Sequence, residues 1–270
     1  EDFNITLTQN GGTVTAVTIS SIYSDDFFAA VAPVGGETSI SFNLELTGTP
    51  SGVESISILP KSASVYDIAG NDASTIAHAN YSVVLKDQTT PSITSVSLAS
   101  DNSTIAVTFS EAVYNTNGGS GALEANDFYL GMGNDPVGDK AKLSSNTPSS
   151  ISADGNIYTL GISFTTPSKG GDTLYVRYYD DSIYDAVGNE IAKDIVGMQV
   201  GVNYFAILND VVPPVISSTA PNQNSYVNHT KVSYTLDDAA ASGTITWTQT
   251  GGSADSNSPH AKALAGDELN

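Results

Sequence analysis

Apolar and polar residues alternate along most of this chain. Residues 39–46 give the cleanest case: Ser39, Ile40, Ser41, Phe42, Asn43, Leu44, Glu45 and Leu46 put four apolar side chains on one face. A period of two is that of a half-buried strand, because successive side chains on a strand point to opposite faces. Runs at 4–8, 13–19, 38–46, 53–59 and 81–85 predict strands in the first ninety residues. Asn10-Gly11-Gly12 supplies the turn between the first two. The pattern resumes at Ile93. Ile105, Val107 and Phe109 share a face, then Tyr158, Leu160, Ile162 and Phe164, then Leu174, Val176 and Tyr178. Val202, Tyr204, Ala206 and Leu208 close this second stretch.

Two breaks interrupt the alternation, Lys86-Asp87-Gln88-Thr89-Thr90-Pro91 and Asn209-Asp210-Val211-Val212-Pro213-Pro214. Proline donates nothing to a strand ladder and fixes φ as the chain enters the next strand, so both breaks predict short, stiff linkers. The stretches on either side repeat. Asp87, Pro91 and Ile93 match Asp210, Pro214 and Ile216 at an offset of 123, as Tyr81 matches Tyr204. Val65-Tyr66-Asp67-Ile68-Ala69-Gly70-Asn71 has its twin at Ile183-Tyr184-Asp185-Ala186-Val187-Gly188-Asn189, with Asp67 and Asp185 118 positions apart, and Asp2-Phe3 resembles Asp127-Phe128 at 125. A period near 120 predicts three units: 1–90, entered at its third strand; 91–212, complete; and 213–270, of a different subtype and about half a unit long. About seven antiparallel strands per unit predict an all-β fold of tandem immunoglobulin-like β-sandwich domains. Trp247 shares a face with Ile245 on the third strand of the last unit and is expected in its core.

Composition narrows the function. Nine Lys plus Arg stand against 29 Asp plus Glu, a formal charge of -20. Phosphate backbones and anionic membranes recruit clustered cations, so nucleic acid is excluded as a partner and an anionic membrane surface is not expected. No apolar run approaches the roughly 20 residues of a membrane helix, so membrane insertion is not expected. Cysteine is absent, which removes disulfide and thiol chemistry and fits an extracellular bacterial protein that relies on sheet packing or bound ions. No signal peptide opens at Glu1, and the sequence stops in a polar run at Asn270, as expected of a piece of a longer protein.

Thr108-Phe109-Ser110-Glu111-Ala112-Val113, the Tyr-Asp-x-x-Gly-Asn loop and the Asp-x-x-x-Pro linker resemble the bacterial immunoglobulin-like repeats of giant cell-surface proteins. Such repeats occur in adhesins, in swimming- and gliding-motility surface proteins, and as spacers in secreted enzymes. The resemblance covers 91–212 and parts of both flanking units. It implies a stalk or presentation role outside the cell, with a surface glycan or protein as ligand and neighbouring repeats of the same chain as constant partners.

In a sandwich of this kind the loops after the second and sixth strands return to the pole where the first strand starts. Glu111, Asp185 and Asn189 are thereby expected to meet Asp87 of the incoming linker. Asp237 and Asp238 are expected to meet Asp210 at the next joint, and Asp67 and Asn71 occupy the matching loop of the first unit. Two roles fit these residues. Ca²⁺ takes six to eight oxygen ligands, so clustered Asp, Asn and carbonyl groups suit a clamp that stiffens each joint. Alternatively Asp67 and Asp185 only cap their own turns, with Gly70 and Gly188 at positive φ. Both can hold together.

Asp25-Asp26 and Asp180-Asp181 suit solvated loops. His78, His229 and His260 lack the spacing of a zinc site. No nucleophile elbow, phosphate loop or dinucleotide fingerprint occurs, so a non-enzymatic protein is expected. Asp172-Thr173-Leu174 and Asp181-Ser182-Ile183 fit a bacterial O-glycosylation pattern. The expected function is the repeat segment of a surface adhesin. The alternatives are a filament subunit that self-associates through donated strands, and a carbohydrate-binding or spacer module of a secreted enzyme.

Overall fold

The computed structural model describes residues 2–24, 32–77, 79–133, 140–192, 204–227 and 231–269. The protein is all-β, built of several small sheets, and no helix reaches seven residues. The strands in order are β1 Phe3–Thr8, β2 Ala16–Ser24, β3 Ile40–Thr47, β4 Ser55–Pro60 and β5 Ser82–Val84. Next come β6 Ile93–Leu98, β7 Thr104–Phe109, β8 Phe128–Met132, β9 Lys142–Leu143, β10 Ile151–Asp154, β11 Ile157–Gly161, β12 Phe164–Thr166, β13 Thr173–Tyr178 and β14 Phe205–Ile207. The last are β15 Ile216–Ala220, β16 Ser233–Leu236, β17 Thr244–Trp247 and β18 His260–Ala263.

Every strand pairing is antiparallel. Among the described residues none joins β1–β5 to β6–β14, or β6–β14 to β15–β18. In the middle segment one sheet runs β10-β11-β7-β6 and a second β14-β13-β8, with β9 and β12 forming a small ribbon. The first segment repeats part of this plan: β1-β4-β5 has the order of β8-β13-β14, and β2-β3 stands where β10-β11 stands.

The core lies in the middle segment. Ile93, Ile105, Val107, Phe109, Tyr158 and Leu160 from one sheet pack with Phe128, Leu130, Leu174 and Val176 from the other. Each such fully buried side chain contributes about 1.5–3 kcal/mol by leaving water. The buried set on β7, β11 and β13 is the alternating set of the sequence, so the period of two locates the core directly. In the first segment only Val14 and Ile56 are buried apolar residues, and in the last segment no described apolar side chain is.

The elements depart from the sequence expectation in three places. The second strand begins at Ala16 rather than Thr13 and runs to Ser24, because Thr13 and Val14 turn inward to meet Glu54. The strand expected from Val202 is seen as β14; Val202 itself lies outside the described residues. Trp247 is not a core residue: it stays 39% exposed, since β17 pairs only with β18 and no facing sheet covers it.

Candidate functional site

The loop at residues 183–191 is built around one carboxylate. Asp185 Oδ1 accepts the N–H groups of Val187, Gly188 and Asn189 at 2.9, 2.7 and 2.8 Å, and Oδ2 accepts the side-chain amide of Asn189 at 2.7 Å. A carboxylate two to four residues before those donors forms this turn without outside help. Gly188 is required twice over. Its φ is +94°, and a Cβ there would lie 2.2 Å from Asn117 Oδ1. Residues 114–119 close over the loop: Tyr114 and Tyr184 exchange backbone hydrogen bonds at 2.8 Å, and Asp185 is left 1% exposed.

The same loop grips the linker that enters from the first segment. Asn189 Nδ2 donates to the carbonyls of Asp87 and Thr89 at 3.3 and 3.2 Å, besides Asp185. Two amide hydrogens are thus shared among three oxygens of two segments. Asp87 Oδ1 in turn accepts the N–H of Thr89 at 2.9 Å, bending the linker so that its carbonyls face Asn189.

Asp87, Glu111 and Asp185 converge here, each offering an oxygen within 4.8 Å of the others. None of the salt bridges among the described residues involves the trio. Burial, and then the negative charges of Asp87 and Asp185, push the Glu111 carboxyl above its ordinary pKa. Three convergent carboxylates beside two linker carbonyls make a donor set of hard oxygens, the kind Ca²⁺ takes. Asp185 Oδ1 is committed to its three N–H donors, so Oδ2 is its more available atom.

The remaining expected ligands do not gather. Asp67 repeats the cap of Asp185: Oδ1 accepts Ala69 N at 2.9 Å and Asn71 N at 2.8 Å, and Oδ2 accepts Asn71 Nδ2 at 2.8 Å. The Asn71 side chain, and then its N–H, hold the Asp67 pKa below the usual value. At the second joint Asp210 caps Val212 N at 2.9 Å, and Asp238 caps Ala239 N at 2.8 Å. Asp237 accepts Val215 N at 2.6 Å and pairs with Lys169 Nζ at 3.2 Å. A lysine placed there neutralises the joint that the sequence expects to be acidic, and Asp210, Asp237 and Asp238 form no carboxylate cluster. Asp180 and Asp181 gather with Glu190 instead. His260 bonds Asp255 at 2.6 Å; His78, His229, Asp25 and Asp26 lie outside the described residues.

Two organising groups escape the sequence reading. Glu54 is buried and accepts Thr13 N at 2.7 Å, Val14 N at 3.1 Å and Ser51 N at 2.9 Å. Burial opposes its ionisation, but these N–H groups outweigh it and lower its pKa to about 2. Its counterpart, 118 positions on, is Asp172, which accepts Ala141 N at 3.2 Å and Ser168 Oγ at 2.9 Å. Extending the offset that relates Asp67 to Asp185 would have found this pair. The second group is buried Asn102, which donates to Asn209 O at 2.8 Å and accepts Asn209 N at 3.0 Å, fixing the exit of the middle segment. Neither asparagine belongs to an alternating run or a repeated motif, so no pattern marks it.

Comparison with protein-family models, with curated proteins and with solved structures finds no match for this chain.

Proposed function

We propose that this chain is a non-enzymatic segment of a long bacterial cell-surface protein, a row of immunoglobulin-like sandwiches that carries a binding element away from the cell. Label the middle strands A to G, with β6, β7, β8, β10, β11, β13 and β14 in turn. The two sheets then follow the orders D-E-B-A and G-F-C, those of the seven-stranded immunoglobulin constant type. The first unit supplies C-F-G and D-E. The offset of 118 carries Ile40, Phe42, Leu44 and Leu46 onto Tyr158, Leu160, Ile162 and Phe164.

The observation that carries the reading is the entry joint. A stalk must transmit orientation from one unit to the next, and Asn189 does so by holding the backbone carbonyls of the preceding linker. Asp87, Glu111 and Asp185 deepen that role as a cation clamp. A Ca²⁺ ion there would cancel the repulsion among the three carboxylates and bridge linker to loop. The acidic surface suits a medium rich in divalent cations.

A melting curve in EDTA and in Ca²⁺ tests the clamp. Extracellular Ca²⁺ sites bind at about 0.1–1 mM. A site of about 0.1 mM in about 10 mM Ca²⁺ stabilises the fold by roughly 2.7 kcal/mol, a rise of several degrees. Asp87→Asn and Glu111→Gln are expected to erase the rise and Asp67→Asn to leave it. No rise in the unaltered chain removes the ion and leaves Asn189 as the joint. Small-angle scattering tests the stalk itself, for which an elongated particle is expected and a globular one overturns the proposal.

A further inference from the structure

One sheet in this chain lacks its covering hairpin, and one hairpin lacks its sheet. In the middle unit β11 pairs with β10 on one edge and with β7 on the other. The β6–β7 hairpin then brings Ile105, Val107 and Phe109 over the core, and Tyr158 and Leu160 are buried. In the first unit β3 matches β11, yet among the described residues it pairs only with β2. Ile40, Phe42, Leu44 and Leu46 are accordingly left half-buried, as are Phe3, Ile5 and Leu7 on the facing strand.

The hairpin β15–β16 shows the converse. Ile216 pairs with Leu236 as Ile93 pairs with Phe109. An offset of 127 carries Ile105, Val107 and Phe109 onto Val232, Tyr234 and Leu236, so the alternating apolar face is present. Among the described residues β16 pairs only with β15, and Ile216 and Val232 remain exposed. The Tyr234 hydroxyl donates to the Glu268 carbonyl, a single contact that docking would displace.

We propose that the open edge of β3 is a docking surface for the β15–β16 hairpin of a second copy of this chain. The inference rests on the sandwich equivalence given above. The occupant follows from the molecule: the middle unit shows which element covers this face, and β15–β16 is the other hairpin in the chain with that apolar pattern and register. Strand addition would supply main-chain hydrogen bonds, and burial of Val232, Tyr234 and Leu236 the specificity. Because the donor and acceptor surfaces differ, the contact is heterologous and propagates head to tail. The register of β7 on β11 sets Tyr234 opposite Ile40 and Ser233 opposite Ser41, the positions of Ala106 and Thr159.

The chain has no cysteine, which makes cross-linking clean. Ala106 and Thr159 face each other without mutual hydrogen bonds, since the bonds Phe109 N to Asn156 O and Ile162 N to Ser103 O set the alternate rungs. Cα atoms in such pairs approach to about 4.5 Å, within disulfide range. The S41C/S233C double variant is expected to give a ladder of disulfide-linked oligomers under mild oxidation, while S41C or S233C alone gives dimers at most. Light scattering on the unaltered chain is expected to show at least a doubling of mass on concentration from about 10 µM to about 1 mM, as a micromolar Kd requires. A monomer at about 1 mM, or a disulfide that closes within one chain, overturns the proposal. Slow amide exchange in β7, β11 and β13 reports the sandwich independently, so loss of the docking and loss of the fold assignment are told apart.

Discussion

Residues 67–71 and 185–189 hold nearly the same hydrogen bonds in two different settings. Both aspartates accept backbone N–H groups from their own turn, and both bind the side-chain amide of the following asparagine. Yet Asp185 is buried, while Asp67 is exposed and Ile68 beside it is fully so. The difference comes from outside the motif. Residues 114–119 and the linker at 87–89 close over the second loop, and no described residue does so over the first. A short motif therefore encodes its turn, and its neighbours decide whether the turn is also a joint. Gly70 and Gly188 register the same contrast: both have positive φ, but a Cβ at Gly70 would meet nothing.

The largest effect that separates the two settings is removal of the capping carboxylate. Asp185→Ala strands three buried N–H groups and the Asn189 amide, at a cost of about 3 kcal/mol. Asp67→Ala lets water replace the carboxylate and costs only a fraction of that. Urea unfolding of the two variants makes the comparison. Equal losses would mean that burial by residues 114–119 adds nothing to the cap.

Glu54 sharpens the comparison between units, because it performs in the first what Asp172 performs in the middle. Its folded-state pKa of about 2 lies below the model carboxylate value of 4.5. A depressed pKa contributes stability above the unfolded value, and that contribution drains away as pH falls from about 4.5 toward 2. Acidification is expected to loosen β1–β5 across this window, seen as early amide exchange at Val14 and Ile56. Glu54→Gln is expected to cost about 2 kcal/mol at pH 7 and to flatten the pH dependence. Gly12 lies so close that a Cβ there would fall 2.2 Å from the Glu54 carboxyl, so Gly12→Ala should disturb the same region.

Glu111 has the opposite sign. Its pKa is raised by burial and by Asp87 and Asp185. A raised acid pKa means that the folded state prefers the protonated form, so the site is most favourable at low pH and costs stability as pH rises through the folded value. Glu111→Gln removes that repulsion. Without divalent cations at neutral pH it is expected to raise the melting temperature by about 1–3 °C, since solvent screens much of the effect. A drop in EDTA would show that Glu111 supports the joint by contacts of its own.

The alternating faces of β3, β7, β11 and β13 were legible because burial on a strand has a fixed period, and Asp87, Glu111 and Asp185 because topology returns their loops to one pole. Trp247 was misjudged for the complementary reason: alternation names a face, not what lies against it. The second joint was opaque because Lys169 reaches Asp237 across 68 positions that no motif links. Glu54 looks like any strand-entry glutamate until Thr13 and Val14 are seen to turn toward it, and that turn has no sequence signature beyond Gly12.

The smallest expected effect is the one that isolates the joint from the turn. Asn189 binds Asp185 within its own loop and the Asp87 and Thr89 carbonyls outside it, whereas Asn71 makes only the internal contact. Asn189→Ala and Asn71→Ala remove the same amide from the same turn, so their difference is the linker contact alone. Two shared hydrogen bonds at a partly solvated site contribute about 0.5–1 kcal/mol, too little to unfold either unit. It is enough to change how often the linker leaves the loop: about two- to fivefold at that energy. Residual dipolar couplings, which report the orientation of β1–β5 relative to β6–β14, are expected to average further in Asn189→Ala and not in Asn71→Ala. Equal averaging in the two variants would assign the stiffness to Pro91 and the short linker, and would reduce Asn189 to a turn residue like its twin.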